Sequence, residues 1–138
     1  TTLFRSTLYE ENDAQQKQLI FKLKEVMEKE KLYLDPKISI QEVALKLSSN
    51  RTYLSMAINN QLNTTFPNFI NGYRIQEAIG LITSGYLKNR TQDGLAKQSG
   101  FSSRTVFISA FKKHTGVLPS FFIANFKKLD PENLEDKL

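Results

Sequence analysis

The sequence predicts an all-α fold in which two small helical subdomains are joined by one long helix, with about seven helices in all. The first observation is the stretch 96–113, where two helical segments are separated by a short turn. The second is that the same pattern occurs earlier, around residues 44–59. The third is the helical segment 66–84 between them, whose apolar residues cover a wide arc, as in a helix packed at both ends.

The turn in 96–113 is marked by residues that end one helix and begin another. Gly100 can adopt the positive φ that ends a helix, and Ser102 or Ser103 can cap the next one. Helix-compatible residues then continue as far as Gly116. Two helices joined by so short a turn form a helix-turn-helix motif.

The second helix of this motif has two faces at helical spacing. The face predicted to lie in the core contains Val106, Phe107, Ala110 and Phe111. The outer face contains Arg104, Thr105, Ile108, Ser109 and Lys112. A guanidinium, hydroxyls and an apolar group are suited to reading base edges in the major groove. On this helix alone, an ordinary polar surface is an equally good interpretation.

The pattern repeats when Ala44 is set over Ala96 and, after one extra residue in the second turn, Arg51 over Arg104. The core face reappears as Tyr53, Leu54, Ala57 and Ile58, and the outer face as Arg51, Thr52, Ser55, Met56 and Asn59. Such a repeat indicates two similar subdomains, each with one exposed helix, which favours the base-reading interpretation. Met56 is apolar, so it either contacts bases or packs against a neighbouring helix.

These motifs resemble the DNA-binding domain of AraC/XylS-type transcription regulators over residues 38–122. The matching residues of the second subdomain are Gly100-Phe101-Ser102-Ser103, Phe107, Ala110-Phe111-Lys112-Lys113, Gly116 and Pro119-Ser120. Those of the first are Val43-Ala44, Tyr53-Leu54-Ser55, Phe69-Ile70-Asn71, Tyr73-Arg74-Ile75 and Glu77-Ala78. The resemblance implies that two recognition helices enter successive major-groove segments on one face of DNA, and that the chain is the output domain of a transcription regulator.

Helical geometry and the matching family positions together assign roles to the outer residues. The residues expected to contact bases are Arg51, Thr52, Ser55, Met56, Arg104, Thr105, Ile108 and Ser109. Those expected to contact phosphates are Ser39, Asn59, Thr91, Lys112 and Lys113. The first recognition helix departs from the family pattern because Asn59, Asn60 and Asn63 stand where the family has Lys, Lys and Gly. Neutral amides should therefore make weaker phosphate contacts there.

The expected domain organisation has four parts. Residues 1–12 are a linker or tail to a missing domain, because they show no sustained apolar period, and Asp13 is expected to cap the first helix. Residues 13–84 form the first helix-turn-helix subdomain with the connecting helix, and residues 85–128 the second. Residues 129–138 are an acidic tail. The connecting helix spans roughly 28 Å, near the ~34 Å between major-groove faces one turn apart, and is expected to act as a spacer.

The charge distribution favours nucleic acid as the partner. Residues 36–128 carry a net charge of +9, against −1 for residues 1–35 and −3 for residues 129–138, within a total of +5. The chain has no Cys and one His, and it lacks phosphate-binding glycine motifs, so we expect no enzymatic activity, cofactor or metal. His114 is expected to be an ordinary solvated residue at a helix end.

The expected partner is double-stranded DNA, with RNA polymerase and an upstream sensor domain as further candidates, and the oligomeric state is left open. We expect a cytoplasmic location, although the full-length protein could be anchored in a membrane through a missing N-terminal part. The alternative function is a helical module that binds another protein through the same exposed faces. The two functions differ in salt dependence, since phosphate binding weakens steeply as salt rises.

Overall fold

The computed structural model describes residues 2–85 and 91–129, which contain seven α-helices and no strand. The helices are α1 (Thr2–Glu30), α2 (Ile40–Lys46), α3 (Arg51–Leu62), α4 (Phe66–Thr83), α5 (Gln92–Gln98), α6 (Arg104–Thr115) and α7 (Pro119–Leu129). A short 3₁₀ turn, Leu32–Leu34, follows α1. The all-α fold predicted from the sequence is confirmed.

The chain divides into two compact units. The first unit comprises Thr1–Tyr33 and Lys37–Ile70, and the second comprises Leu34–Pro36 and Asn71–Leu138. The division along the sequence falls within α4, whereas residue 84 was the boundary expected from the sequence. The acidic tail expected at 129–138 lies, apart from Leu129, outside the described residues.

Helix α1 begins earlier than the sequence predicted. It starts at Thr2, so residues 2–12 are helical and Asp13 lies inside the helix instead of capping it. The Asp13 carboxylate accepts a hydrogen bond from Gln61 Nε2 at 2.7 Å and pairs with Lys17, and both contacts lower its pKa. The early turns carry exposed apolar residues such as Leu3, at 85% exposure. Apolar periodicity reports packing, and therefore could not reveal a helical segment without a buried face.

The first unit is held together by aliphatic side chains between α1, α2 and α3. Both α1 and α2 pack against α3. The buried apolar residues of these helices are Leu19, Ile20, Leu23, Met27, Val43, Ala44, Leu54, Ala57 and Ile58. Their helical spacing explains why the 3.6-residue period predicted these three helices.

The second unit has an aromatic core. Phe101, Phe107, Phe111 and Phe122 form a chain of edge-to-face contacts with ring centroids 5.4, 5.7 and 5.6 Å apart. The other buried members of the cluster are Ile75, Ala78, Ile82, Leu95, Ala96 and Ala110. Because three of its residues are Phe in and beside α6, this core fixes the orientation of that helix within the unit.

The turns after α2 and α5 have the same backbone hydrogen bonds. In the first, Ser49 N–H donates to Ala44 O and Ser48 N–H to Leu45 O, at 2.8 and 3.1 Å. In the second, Phe101 N–H donates to Ala96 O and Gly100 N–H to Lys97 O, at 2.9 and 3.1 Å. This pair of bonds is the Schellman motif, which requires a left-handed residue. Gly100 has the required conformation with φ of 96°, and Ser48 adopts it with φ of 56°.

We expect Ser48→Gly to raise the free energy of unfolding by about 0.5 to 1 kcal/mol, since glycine relieves the left-handed strain that a Cβ creates. Urea denaturation of the two proteins measures the change. The matched control is Ser49→Gly, because Ser49 has no positive φ. Glycine there only loosens the unfolded chain and should lower stability. Equal losses in both variants would contradict the strain at Ser48.

Candidate nucleic-acid interface

Helices α3 and α6 are built alike. Each has twelve residues, and each begins at a capping side chain. Asn50 accepts from Tyr53 N–H at 2.9 Å, and Ser103, one of the two caps predicted for α6, accepts from Val106 N–H at 3.3 Å. Each ends at a left-handed residue, Asn63 with φ of 51° and Gly116 with φ of 83°. The repeat seen in the sequence is therefore a repeat of local structure.

The outer face of α3 is fully available to solvent. All five residues assigned to it, Arg51, Thr52, Ser55, Met56 and Asn59, are exposed. Met56 is 47% exposed, which argues against the alternative that it packs inside the unit. The helix contains no Asp or Glu. It thus presents one cation, hydroxyls, an amide and an apolar group, with no carboxylate to repel phosphate.

The outer face of α6 is more basic. Arg104, Thr105, Ser109, Lys112 and Lys113 are exposed, and this helix also lacks Asp and Glu. Its last turn carries two lysines, which complement the negative end of the helix dipole and leave the charge open to solvent. The structure brings together on one face all of the α6 residues assigned from the sequence except Ile108.

Two residues of α6 have the reverse of their predicted burial. Val106, predicted in the core, is 45% exposed, whereas Ile108, predicted on the outer face, is half-buried and packs against the aromatic core. Both lie on flanks of the buried face, where the helical period alone does not decide. Helix α7 packs against α6, and its residues Phe122 and Ile123 share the core with Ile108. Val106 is therefore a candidate that the sequence did not reveal.

Truncation should separate these two residues. We expect Val106→Ala to change the free energy of unfolding by less than about 0.5 kcal/mol, and Ile108→Ala to lower it by about 1 to 2 kcal/mol because it removes core contacts. Chemical denaturation measures both, and each variant is the control for the other. A larger loss at Val106 than at Ile108 would refute this placement.

Ser39 and Thr91, both assigned to phosphates from the sequence, are the N-caps of α2 and α5. Ser39 Oγ accepts from Glu42 N–H at 3.2 Å and donates to the Glu42 carboxylate at 3.1 Å. Thr91 Oγ accepts from Gly94 N–H at 3.1 Å, and Asp93 lies in the same turn. A carboxylate in the first turn disfavours a second anion. The Ser39 hydroxyl is thus engaged as both acceptor and donor, whereas the Thr91 hydroxyl is engaged as an acceptor and can still donate its O–H.

Arg74 contacts Phe101, a core residue that packs against the second recognition helix, α6. Its guanidinium donates to Asp35 O at 2.9 Å and to Asn71 Oδ1 at 3.1 Å, and it lies 5.6 Å from the centroid of the Phe101 ring. Phe101 in turn contacts Phe107 of α6. These contacts give Arg74 a structural role in the second unit.

His114 lies at the end of α6 beside α4. Its ring is next to Gly72, where an added Cβ would stand 3.6 Å from the His114 Cε1 atom. Partial burial lowers the pKa of His114 from its usual 6.5, and the neighbouring Lys113 lowers it further.

The pKa of His114 predicts a loss of stability in mild acid. The unfolded chain binds the proton at a higher pH than the folded chain, so the free energy of unfolding should fall as pH drops from 7.5 through 6.5 toward the lowered pKa. Urea denaturation at several pH values measures this slope. His114→Gln removes the only His of the chain and should flatten it. An unchanged slope in the variant would assign the effect to other groups.

Within the described part of the chain, no three His, Asp or Glu side chains lie close enough together to hold a metal ion. None of the helices described is long and apolar enough to cross a membrane.

A family model described as a helix-turn-helix domain matches residues 43–125, which is more than half of the chain. The chain belongs to this family. The identification made from the sequence, an AraC-type double helix-turn-helix domain, is confirmed. Among curated proteins, none shows significant sequence similarity to the chain.

Solved structures with the same fold include regulators from several sources. The C-terminal domain of AraT, a response regulator from Geobacillus stearothermophilus, is 22% identical with a TM-score of 0.66, over 78% of this chain and 84% of that one. An AraC-type transcriptional regulator from Chromobacterium violaceum is 18% identical with a TM-score of 0.67, over 86% and 98%. The DNA-binding domain of AdpA, solved with a target DNA, is 14% identical with a TM-score of 0.63, over 84% and 96%.

Proposed function

We propose that this chain binds double-stranded DNA in a sequence-specific manner, as the output domain of an AraC-type transcription regulator, and reads two adjacent major-groove segments. The observation that carries the proposal is the duplicated recognition helix. Both α3 and α6 have twelve residues, the same capped ends and an exposed face that lacks carboxylates. Family membership and the AdpA complex with DNA support the proposal.

The outer faces supply the base contacts. In α6, Arg104 is suited to guanine, Thr105 and Ser109 to hydrogen bonds with several bases, and exposed Val106 to a thymine methyl group. Because Ile108 is half-buried, its base contact is limited to the exposed edge of the side chain. In α3 the corresponding candidates are Arg51, Thr52, Ser55 and Met56.

Phosphate contacts anchor the two helices on the duplex. Lys112 and Lys113 provide charge in the second unit, whereas Asn59 provides a neutral amide in the first. Ser39 and Thr91 contribute through the backbone N–H groups that they border. The first unit should consequently contribute less to the salt dependence of binding.

Helix α4 acts as the spacer in this proposal. Its eighteen residues span roughly 27 Å, and it contributes buried residues to both units: Ile70 to the first, and Ile75, Ala78 and Ile82 to the second. Successive major-groove segments on one face of DNA lie about one turn apart, so we propose two binding motifs at that spacing.

The same function implies further partners. We propose RNA polymerase as a partner in transcription, a sensor domain upstream of α1, and a cytoplasmic location. A domain that acts through these contacts needs no catalytic group.

Selection of bound sequences from a random DNA pool tests the function. Enrichment of two short motifs about one helical turn apart is expected if α3 and α6 both read bases. No enrichment, combined with binding that does not weaken between 50 and 200 mM salt, would instead support the protein-binding alternative.

Arg104→Ala should weaken binding to the selected site by about 1 to 3 kcal/mol and leave binding to random duplex nearly unchanged, because it removes a bidentate contact to guanine. Fluorescence anisotropy with both duplexes measures the two affinities. Arg104→Lys is the control: it keeps the charge but loses the planar fork, so it should restore only non-specific affinity. Equal losses on both duplexes would show that Arg104 serves phosphates.

A further inference from the structure

The contact between α1 and α3 combines buried apolar side chains with a group of polar ones. The buried apolar residues of the two helices are Leu19, Ile20, Leu23, Met27, Leu54, Ala57 and Ile58. The polar group, here called the amide cluster, consists of Asp13 and Gln16 of α1 and Asn60 and Gln61 of α3. Both helices belong to the first unit, so the cluster joins two helices within one compact part of the chain.

Hydrogen bonds within the amide cluster define how α1 and α3 lie against each other. Gln61 Nε2 donates to Asp13 Oδ1 at 2.7 Å and to Gln16 Oε1 at 3.2 Å, and Asn60 Nδ2 donates to the same Gln16 oxygen at 3.3 Å. The bond from Gln61, followed by that from Lys17, lowers the pKa of Asp13, so this acceptor is a charged carboxylate. A slip of either helix by one residue, ~1.5 Å along its axis, would break these bonds.

Gln16 costs stability at its position. It is 2% exposed, and its Nε2 atom has no hydrogen-bond partner among the described residues. A buried donor without a partner is destabilising, and an apolar side chain of similar size would avoid that penalty. Apolar interfaces accept repacking and lose their unique geometry before they lose stability, whereas a buried polar group can fix the register of two helices. Stability does not account for Gln16, and register does.

The last turn of α3, which the amide cluster joins to α1, also carries part of the outer face. Asn59 is exposed, and it directly precedes Asn60 in the chain. Because α3 is one continuous helix, the placement of its last turn also sets the position of Arg51 and Ser55. Hydrogen bonds to base edges require the side chains to be placed within about 0.5 Å. The register of α3 on α1 therefore affects how well the first unit discriminates between bases.

We infer that Gln16 is a positioning residue for the first recognition helix. Through Asn60 and Gln61 it holds α3 in the register that base reading requires, and Asp13 reinforces this register through Gln61. Gln16 itself contacts no DNA in this scheme. The inference rests on the proposed function, because it requires that α3 read bases. It assigns a role in specificity to a buried residue of α1, outside the outer faces of both recognition helices.

Gln16→Met separates positioning from stability. Methionine fills a similar volume without an amide, so the melting temperature of the full chain should stay the same or rise. The affinity for the selected duplex should nevertheless fall about 10-fold, comparable with the effect of one mismatched base pair, whereas the affinity for a random duplex should stay unchanged. Fluorescence anisotropy measures both affinities, and thermal unfolding measures the stability.

The loss should be confined to the motif that α3 reads, which is the motif whose discrimination Arg51→Ala removes. Each motif is scrambled in turn. Scrambling the α3 motif should weaken binding about 10-fold less in Gln16→Met than in the wild type, whereas scrambling the other motif should have the same effect in both proteins. Equal losses at the two motifs, or a lower melting temperature together with weaker binding to every duplex, would show that Gln16 only supports the fold.

Gln18→Met is the matched control. Gln18 is an exposed glutamine of α1 outside the amide cluster, so the same substitution there should leave both affinities and the melting temperature unchanged. A motif-specific loss of similar size in this control would assign the effect to the surface of α1 and contradict a role for the cluster.

Gln61→Met tests the route from Gln16 to α3. Gln61 is half-buried and donates to both residues of α1, so this variant should reproduce the motif-specific loss even if Gln16→Met does not fold. The double variant should bind no more weakly than the weaker single variant, because both changes break the same set of bonds. Additive losses, or full discrimination in both single variants, would overturn the positioning role alone. If the wild type itself does not distinguish the selected duplex from a random one, the proposed function fails instead.

Discussion

The structure depends on one local constraint, which is the left-handed residue in each short turn between a supporting helix and a recognition helix. That residue lets two backbone N–H groups bond back to the ends of α2 and α5, at 2.8 to 3.1 Å. The crossing of the two helices follows from these bonds, and so does the face that each recognition helix turns outward. Gly100 adopts the left-handed conformation without strain because it has no Cβ, whereas Ser48 adopts it with strain.

The two units secure their recognition helices by different means. In the second unit, four phenylalanines in edge-to-face contact and the Arg74 guanidinium over Phe101 hold α6. In the first, aliphatic packing against α1 is supplemented by a polar contact, where Gln61 donates to both Asp13 and Gln16. Gln16 is buried, and its Nε2 has no partner among the described residues. The first unit therefore tolerates more unsatisfied polar groups, which lowers its stability relative to an apolar interface.

Sequence reasoning succeeded where a side chain acts through the backbone next to it. The cap at Ser103 and the helix end at Gly116 are local chemistry that a few residues determine. Sequence reasoning failed where burial depends on tertiary packing. Val106 and Ile108 lie on opposite flanks of the buried face of α6, and tertiary packing against the aromatic core decides that Ile108 is the half-buried one. The helical start of α1 was missed because its exposed turns carry no packing signal.

The two recognition helices carry unequal charge, which indicates that they contribute differently to DNA binding. Lys112 and Lys113 concentrate sequence-independent attraction on α6, whereas the equivalent turn of α3 has only Asn59 and Asn60. On DNA, Arg51 would be the one cation of the first recognition helix, and the other contacts from α3 would be uncharged. The salt dependence of binding would then come mainly from the second unit, whereas base contacts would largely hold the first unit in register.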